Sequence, residues 1–96
     1  GYYENAVKYN FKNTQAKISL AKMYIFTLNY KKAEELLNKL MSTVSPNKSR
    51  SKIYYLLGQL KLKQGFRKRA IEYVKKALQL NPMNEEARLF LVNFDQ

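Results

Sequence analysis

Apolar residues recur at helical spacing along most of this chain, and the whole arrangement comes twice. From Ser51 to Pro82 the sequence reads SKIYYLLGQLKLKQGFRKRAIEYVKKALQLNP. Ile53, Tyr54, Leu57 and Leu60 fall on one stripe of a first helix, and Ala70, Ile71, Val74, Ala77 and Leu78 on one stripe of a second. Gly58 sits within the first stripe, where a side chain would hold a partner helix away. Gly65 stops the first helix, because the left-handed conformation that ends helices costs glycine little. Asn81-Pro82 closes the second, since the residue before proline resists helical backbone. The unit is helix, tight turn, helix, loop.

Thr14 to Pro46 repeats that layout as TQAKISLAKMYIFTLNYKKAEELLNKLMSTVSP. Leu20 answers Leu57, Ala21 answers Gly58, Ala33 answers Ala70 and Leu37 answers Val74. The spacing from Ala33 to Ala70 is 37 residues, about three beyond a 34-residue period. The surplus is expected in the polar loop around Ser45 to Ser51, where an insertion costs little. Further on, Asn84-Glu85-Glu86-Ala87-Arg88 opens another helix with Leu91 and Val92 on its core side. Tyr3 to Phe11 reads as the trailing helix of an earlier unit. The expected helices are 14–28, 30–42, 50–64, 67–80 and 84–94. They give a single domain over 1–96, with a first repeat at 14–47, a second at 51–84, and flanking helices at 2–12 and 84–95.

Composition narrows the chemistry. At 96 residues and 11.4 kDa the chain suits one domain or a piece of a repeat array. It has no Cys and no His, so disulfides, the commonest metal ligands and the commonest general base are all missing. The seven acids lie mostly on helix faces, and the neighbours Glu34-Glu35 and Glu85-Glu86 point in different directions. Ser45, Ser49 and Ser51 are placed in a loop with no base to activate them. The reading is not an enzyme, with no catalytic residues, no metal and no cofactor. The longest apolar run, Ile53 to Leu57, is far short of the roughly 20 residues that span a bilayer. With no signal peptide visible either, an intracellular location is the expectation.

The formal net charge is +11. An acidic partner would account for it: a peptide, a nucleic acid or an anionic membrane. So would coding bias, because the abundant Lys comes with many Asn, Ile and Tyr. The sign of the charge is kept as a clue.

Both units resemble tetratricopeptide repeats. The second supplies Tyr54, Leu57, Gly58, Gly65, Ala70, Val74, Ala77, Leu78 and Pro82. The first supplies Leu20, Ala21, Tyr24, Tyr30, Ala33 and Leu37. Departures are Lys61 in place of an aromatic, Phe66 one place early, and Leu28 and Leu40 where small residues are usual. The resemblance implies an all-α fold of antiparallel helix hairpins stacked as a short right-handed solenoid. Its first helices would line a concave groove that binds extended or helical segments of another protein.

With the core positions filled, each first helix leaves a second stripe for that groove. In the first unit it is Gln15, Ile18, Lys22, Ile25 and Phe26. In the second it is Lys52, Tyr55, Gln59, Leu62 and Lys63, and in the last helix Glu86, Leu89 and Asn93. Across the stack Ile18, Tyr55 and Leu89 make an apolar rung, Lys22, Gln59 and Asn93 a polar one, and Ile25 with Leu62 a second apolar one. Alternating rungs suit an amphipathic or acidic segment. Equally, Tyr55, Ile25 and Leu62 would complete packing between repeats, leaving Gln59 and Asn93 solvated.

Some family members clamp the C-terminal carboxylate of a chaperone with Lys and Asn. The matching places here hold Ile18, Lys22, Leu56, Glu86 and Phe90. One cation survives, and that reading is rejected. Arg67-Lys68-Arg69 with Lys75 and Lys76 reads as the solvated face of a second helix. A basic module binding nucleic acid is the rival function, although no recognition motif of such a module is present. The last helix is apolar on most of its circumference, through Ala87, Leu89, Phe90, Leu91, Val92 and Phe94. It calls for further repeats of a longer array or for a second copy, so a self-associating structural segment is a third candidate.

Overall fold

Residues 11–44 and 46–94 are described by a computed structural model. Among them, all regular structure is helical: α1 (Phe11–Phe26), α2 (Tyr30–Thr43), α3 (Asn47–Lys63), α4 (Arg67–Leu80) and α5 (Glu85–Phe94). α1 and α2 form one hairpin and α3 and α4 the next. α2 packs on both α1 and α3, α1 also meets α3, and α5 packs on α4. The stacked-hairpin solenoid expected from the sequence is the fold observed. The flanking helix expected at 2–12 lies outside the described residues, except that Phe11 and Lys12 belong to α1.

The repeat shows in what each helix buries. α2 buries Ala33, Leu37 and Leu40. α4 buries Ala70, Val74 and Ala77, the same spacing 37 residues later. α3 buries a far broader face, because it is covered by α2 on one side and α4 on the other. One core gathers Ile18, Ala21, Ile25 and the inner faces of α2 and α3. A second gathers Ala70, Val74, Ala77, Ala87 and Phe90. Tyr54 and Tyr55 pack against both.

Both hairpin turns are built alike. The Leu28 N–H donates to Ile25 C=O at 3.1 Å and the Asn29 N–H to Tyr24 C=O at 2.7 Å. In the second turn the Gly65 N–H donates to Leu62 C=O at 3.0 Å and the Phe66 N–H to Lys61 C=O at 2.8 Å. These paired bonds cap the ends of α1 and α3, and they require a left-handed residue at the turn. Gly65 meets that at φ 93°, and Leu28 takes it at φ 66°. α1 therefore ends at Phe26 rather than at the expected residue 28.

Four expectations need correction. The three surplus residues are not a loop: Asn47, Lys48 and Ser49 form the first turn of α3. Pro46 starts that helix, with φ −60° and ψ 134°, and its carbonyl accepts the Arg50 N–H at 2.9 Å. Ser51 is consequently helical and buried. Its hydroxyl donates to Ala77 C=O at 2.7 Å and accepts from Asn84 Nδ2 at 2.9 Å. Leu20 is exposed although its counterpart Leu57 is buried, because α2 packs where it covers α3 and no described helix takes that place beside α1. The core side of α5 is Ala87 and Phe90, with Leu91 packed beside them as expected but Val92 exposed. Asn84 sets that register, its side-chain oxygen accepting the Ala87 N–H at 3.1 Å as an N-cap.

Candidate functional site

α1 and α3 run in the same direction side by side, each being the first helix of its hairpin, and α5 begins a further unit. Together they open a groove of about 530 Å³. Lys22, Ile25 and Phe26 line it from α1, Gln59 and Lys63 from α3, and Glu86 from α5. Six of the thirteen residues on the expected stripes are thus brought together. Ser19 and Met23 complete the lining from α1. They lie one helical turn from residues already on the stripe, at i−3 or i−4, and that spacing is the signal that would have found them.

The other seven lie outside the lining, half-buried Gln15 and Tyr55 among them. Ile18 is 2% exposed, sealed in the first core, so it cannot stand on an open rung. Ile25, which does line the groove, is 4% exposed and serves as its floor rather than as a rung. Leu62 packs against the second core. Leu89 and Asn93 are exposed on α5 and lie outside the lining, and half-buried Lys52 is not part of it either.

Tyr55 is half-buried and ties α3 to α5. Its ring meets Phe90 edge-on, with centroids 6.1 Å apart and planes at 88°. Its hydroxyl accepts a hydrogen bond from Gln59 Nε2 at 2.9 Å. Burial pushes the phenol above its usual range, the Glu86 carboxylate adds to the shift, and the Gln59 bond opposes it. The phenol therefore stays protonated and neutral. Phe90, one of the apolar residues around α5, is buried against Tyr55.

The groove holds mixed charge: Lys22 from α1, Lys63 from α3 and Glu86 from α5, with apolar Met23 and Phe26 also in its lining. Among the described residues, no cluster of three or more Asp, Glu, His or Cys could hold a metal ion. None of their helices is long and apolar enough to cross a membrane.

Residues 51–84 match the family model of the tetratricopeptide repeat. The second hairpin is thus similar to a tetratricopeptide repeat. No curated protein and no solved structure matches the chain. The repeat accounts for a close approach of two helices. A Cβ on Gly58 would lie 2.6 Å from Val74 Cγ2 and 3.0 Å from the Ala70 carbonyl oxygen, so α3 and α4 meet through a position that only glycine fits. Tetratricopeptide repeats are protein–protein interaction modules, generally without catalysis of their own. The basic face of α4 is exposed as expected, and it is also stacked on rings. Arg69 lies 5.8 Å from the centre of Phe66, and Lys76 is 6.0 Å from Tyr54 and 5.9 Å from Tyr73.

Proposed function

We propose that the chain is a scaffold or adaptor that binds a peptide segment of a partner protein in the groove between α1, α3 and α5. One observation carries the reading: Lys22, Phe26, Gln59 and Lys63 line a single open groove of about 530 Å³ with Ile25 as its floor. A groove of this size takes a few side chains of an extended or helical segment. Lys22 and Lys63 favour an acidic residue there, Met23 and Phe26 an apolar one, and Glu86 a donor or cation towards α5. The fitting ligand is an amphipathic, partly acidic segment.

Panning a displayed random-peptide library on the chain tests this. Selected peptides should be enriched in Asp and Glu next to Leu or aromatic residues. Lys22→Glu with Lys63→Glu should weaken them by tenfold or more, since reversing rim charges replaces attraction by repulsion. Both lysines are exposed, so the fold should be indifferent to the change. Selected peptides that bind the double variant as well as the parent chain would end the groove reading.

A further inference from the structure

Three features that each cost stability meet at one end of the molecule. α1 and α3 run in the same direction, so both hairpin turns lie at that end. Phe26 and Lys63 share the groove there, and Lys61 Nζ reaches Glu34 Oε2 at 3.0 Å from one hairpin to the other. The first cost is Leu28, which holds left-handed backbone at φ 66° where the other turn uses Gly65. The second is exposed apolar surface: Phe26 is 85%, Leu28 64% and Phe66 50% exposed. The third is charge. Lys31 and Lys32 in α2, and Lys68 and Arg69 in α4, crowd the starts of helices that have no acid in their first turns. A helix start carries partial positive charge and disfavours cations. Where local rules break together on one edge, function is the usual reason.

We propose that this edge docks on an anionic lipid surface, with Phe26, Leu28 and Phe66 entering the boundary between headgroups and acyl chains. Lys31, Lys32, Lys68 and Arg69 surround those tips and match the negative charge of the headgroups. The shape favours a bilayer over other anionic partners. The apolar side chains project from the tips of two turns, and a fluid interface moulds around projections that a protein surface would have to match with separate hollows. Nucleic acid would take the rings by stacking, but aliphatic Leu28 offers no ring to stack, and it is the residue held in place against its backbone preference.

Co-sedimentation of the 96-residue chain with vesicles tests the proposal, comparing phosphatidylcholine alone with equal parts phosphatidylcholine and phosphatidylserine. Binding should require phosphatidylserine and weaken with salt. Leu28→Gly removes the side chain while relieving the backbone, so folding is spared, and binding should fall about tenfold for the lost leucine. Lys31→Glu with Lys68→Glu should lower it by at least about 25-fold, about fivefold for each cation lost near the surface. The chain has no Trp, so Phe26→Trp makes a lone reporter whose emission should move to the blue on the anionic vesicles. Equal binding to neutral vesicles, or Leu28→Gly binding as well as the parent, would overturn the proposal. So would tighter binding of a single-stranded oligonucleotide that Leu28→Gly leaves unchanged.

Discussion

Leu28 and Gly65 stand at the same point of two similarly bonded turns, and they meet the same backbone demand at different cost. Glycine takes left-handed backbone freely, while leucine does so against a steric penalty of about 1–2 kcal/mol. Leu28→Gly should therefore stabilise the chain, by about 0.5–1 kcal/mol once the greater freedom of glycine in the unfolded chain is counted. Urea unfolding would read this as a higher midpoint at unchanged slope. An unchanged or lower midpoint would mean that Leu28 makes contacts outweighing its backbone. Gly65 was legible as a stop because glycine announces the conformation. Leu28 was not, since nothing in a leucine marks left-handed backbone, and the expected helix ran on to it. Ser51 was misread for a related reason: a serine near a proline suggests a loop. Only the fold supplies the Ala77 carbonyl and the Asn84 amide that bury its hydroxyl.

Helices were legible where one stripe alone decides the burial. α4 spans the expected residues, and α2 runs one residue past its expected end, because Ala-x-x-x-Leu/Val spacing has one solution on a helix with one covered face. α3 was harder, being covered on two sides, so its groove stripe and its packing stripe overlap in Tyr55 and Leu62. α5 was hardest: it is apolar nearly all round, and its register depends on the Asn84 cap rather than on periodicity. The contact between α3 and α4 gives a sharp test. Gly58→Ala puts a methyl group against Val74, whose branched side chain has little freedom to turn within a helix. Overpacking of about 1–3 kcal/mol is offset by about 1 kcal/mol of helix propensity, so a net loss of up to about 2 kcal/mol is expected. Gly58→Leu should abolish cooperative melting followed by circular dichroism. If both variants melt like the parent chain, the two helices do not meet at Gly58.

Across the whole molecule, neighbouring units of a stack communicate only through the faces they share, so stability varies along it. α3 lies at the centre, held by α1, α2 and α4, whereas α5 is the shortest described helix and rests on α4 and Tyr55. α5 should therefore open most readily by local unfolding, and α3 and α4 least. The groove crosses this gradient, with Lys22 and Lys63 on the firm part and Glu86 on the loose part. Tyr55 links the two, because it meets Phe90 on α5 and its hydroxyl accepts the bond from Gln59. Tyr55→Ala should then raise amide exchange across α5 by tenfold or more, the equivalent of losing one edge-on aromatic contact and its buried area. Exchange in α2, which packs on α1 and α3, should stay as it was. The same variant should weaken any peptide that reaches Glu86 and spare one that ends at Lys22 and Lys63. Uniformly faster exchange through α2 and α5 alike would show that the chain opens as one unit, with no such division between the two ends of the groove.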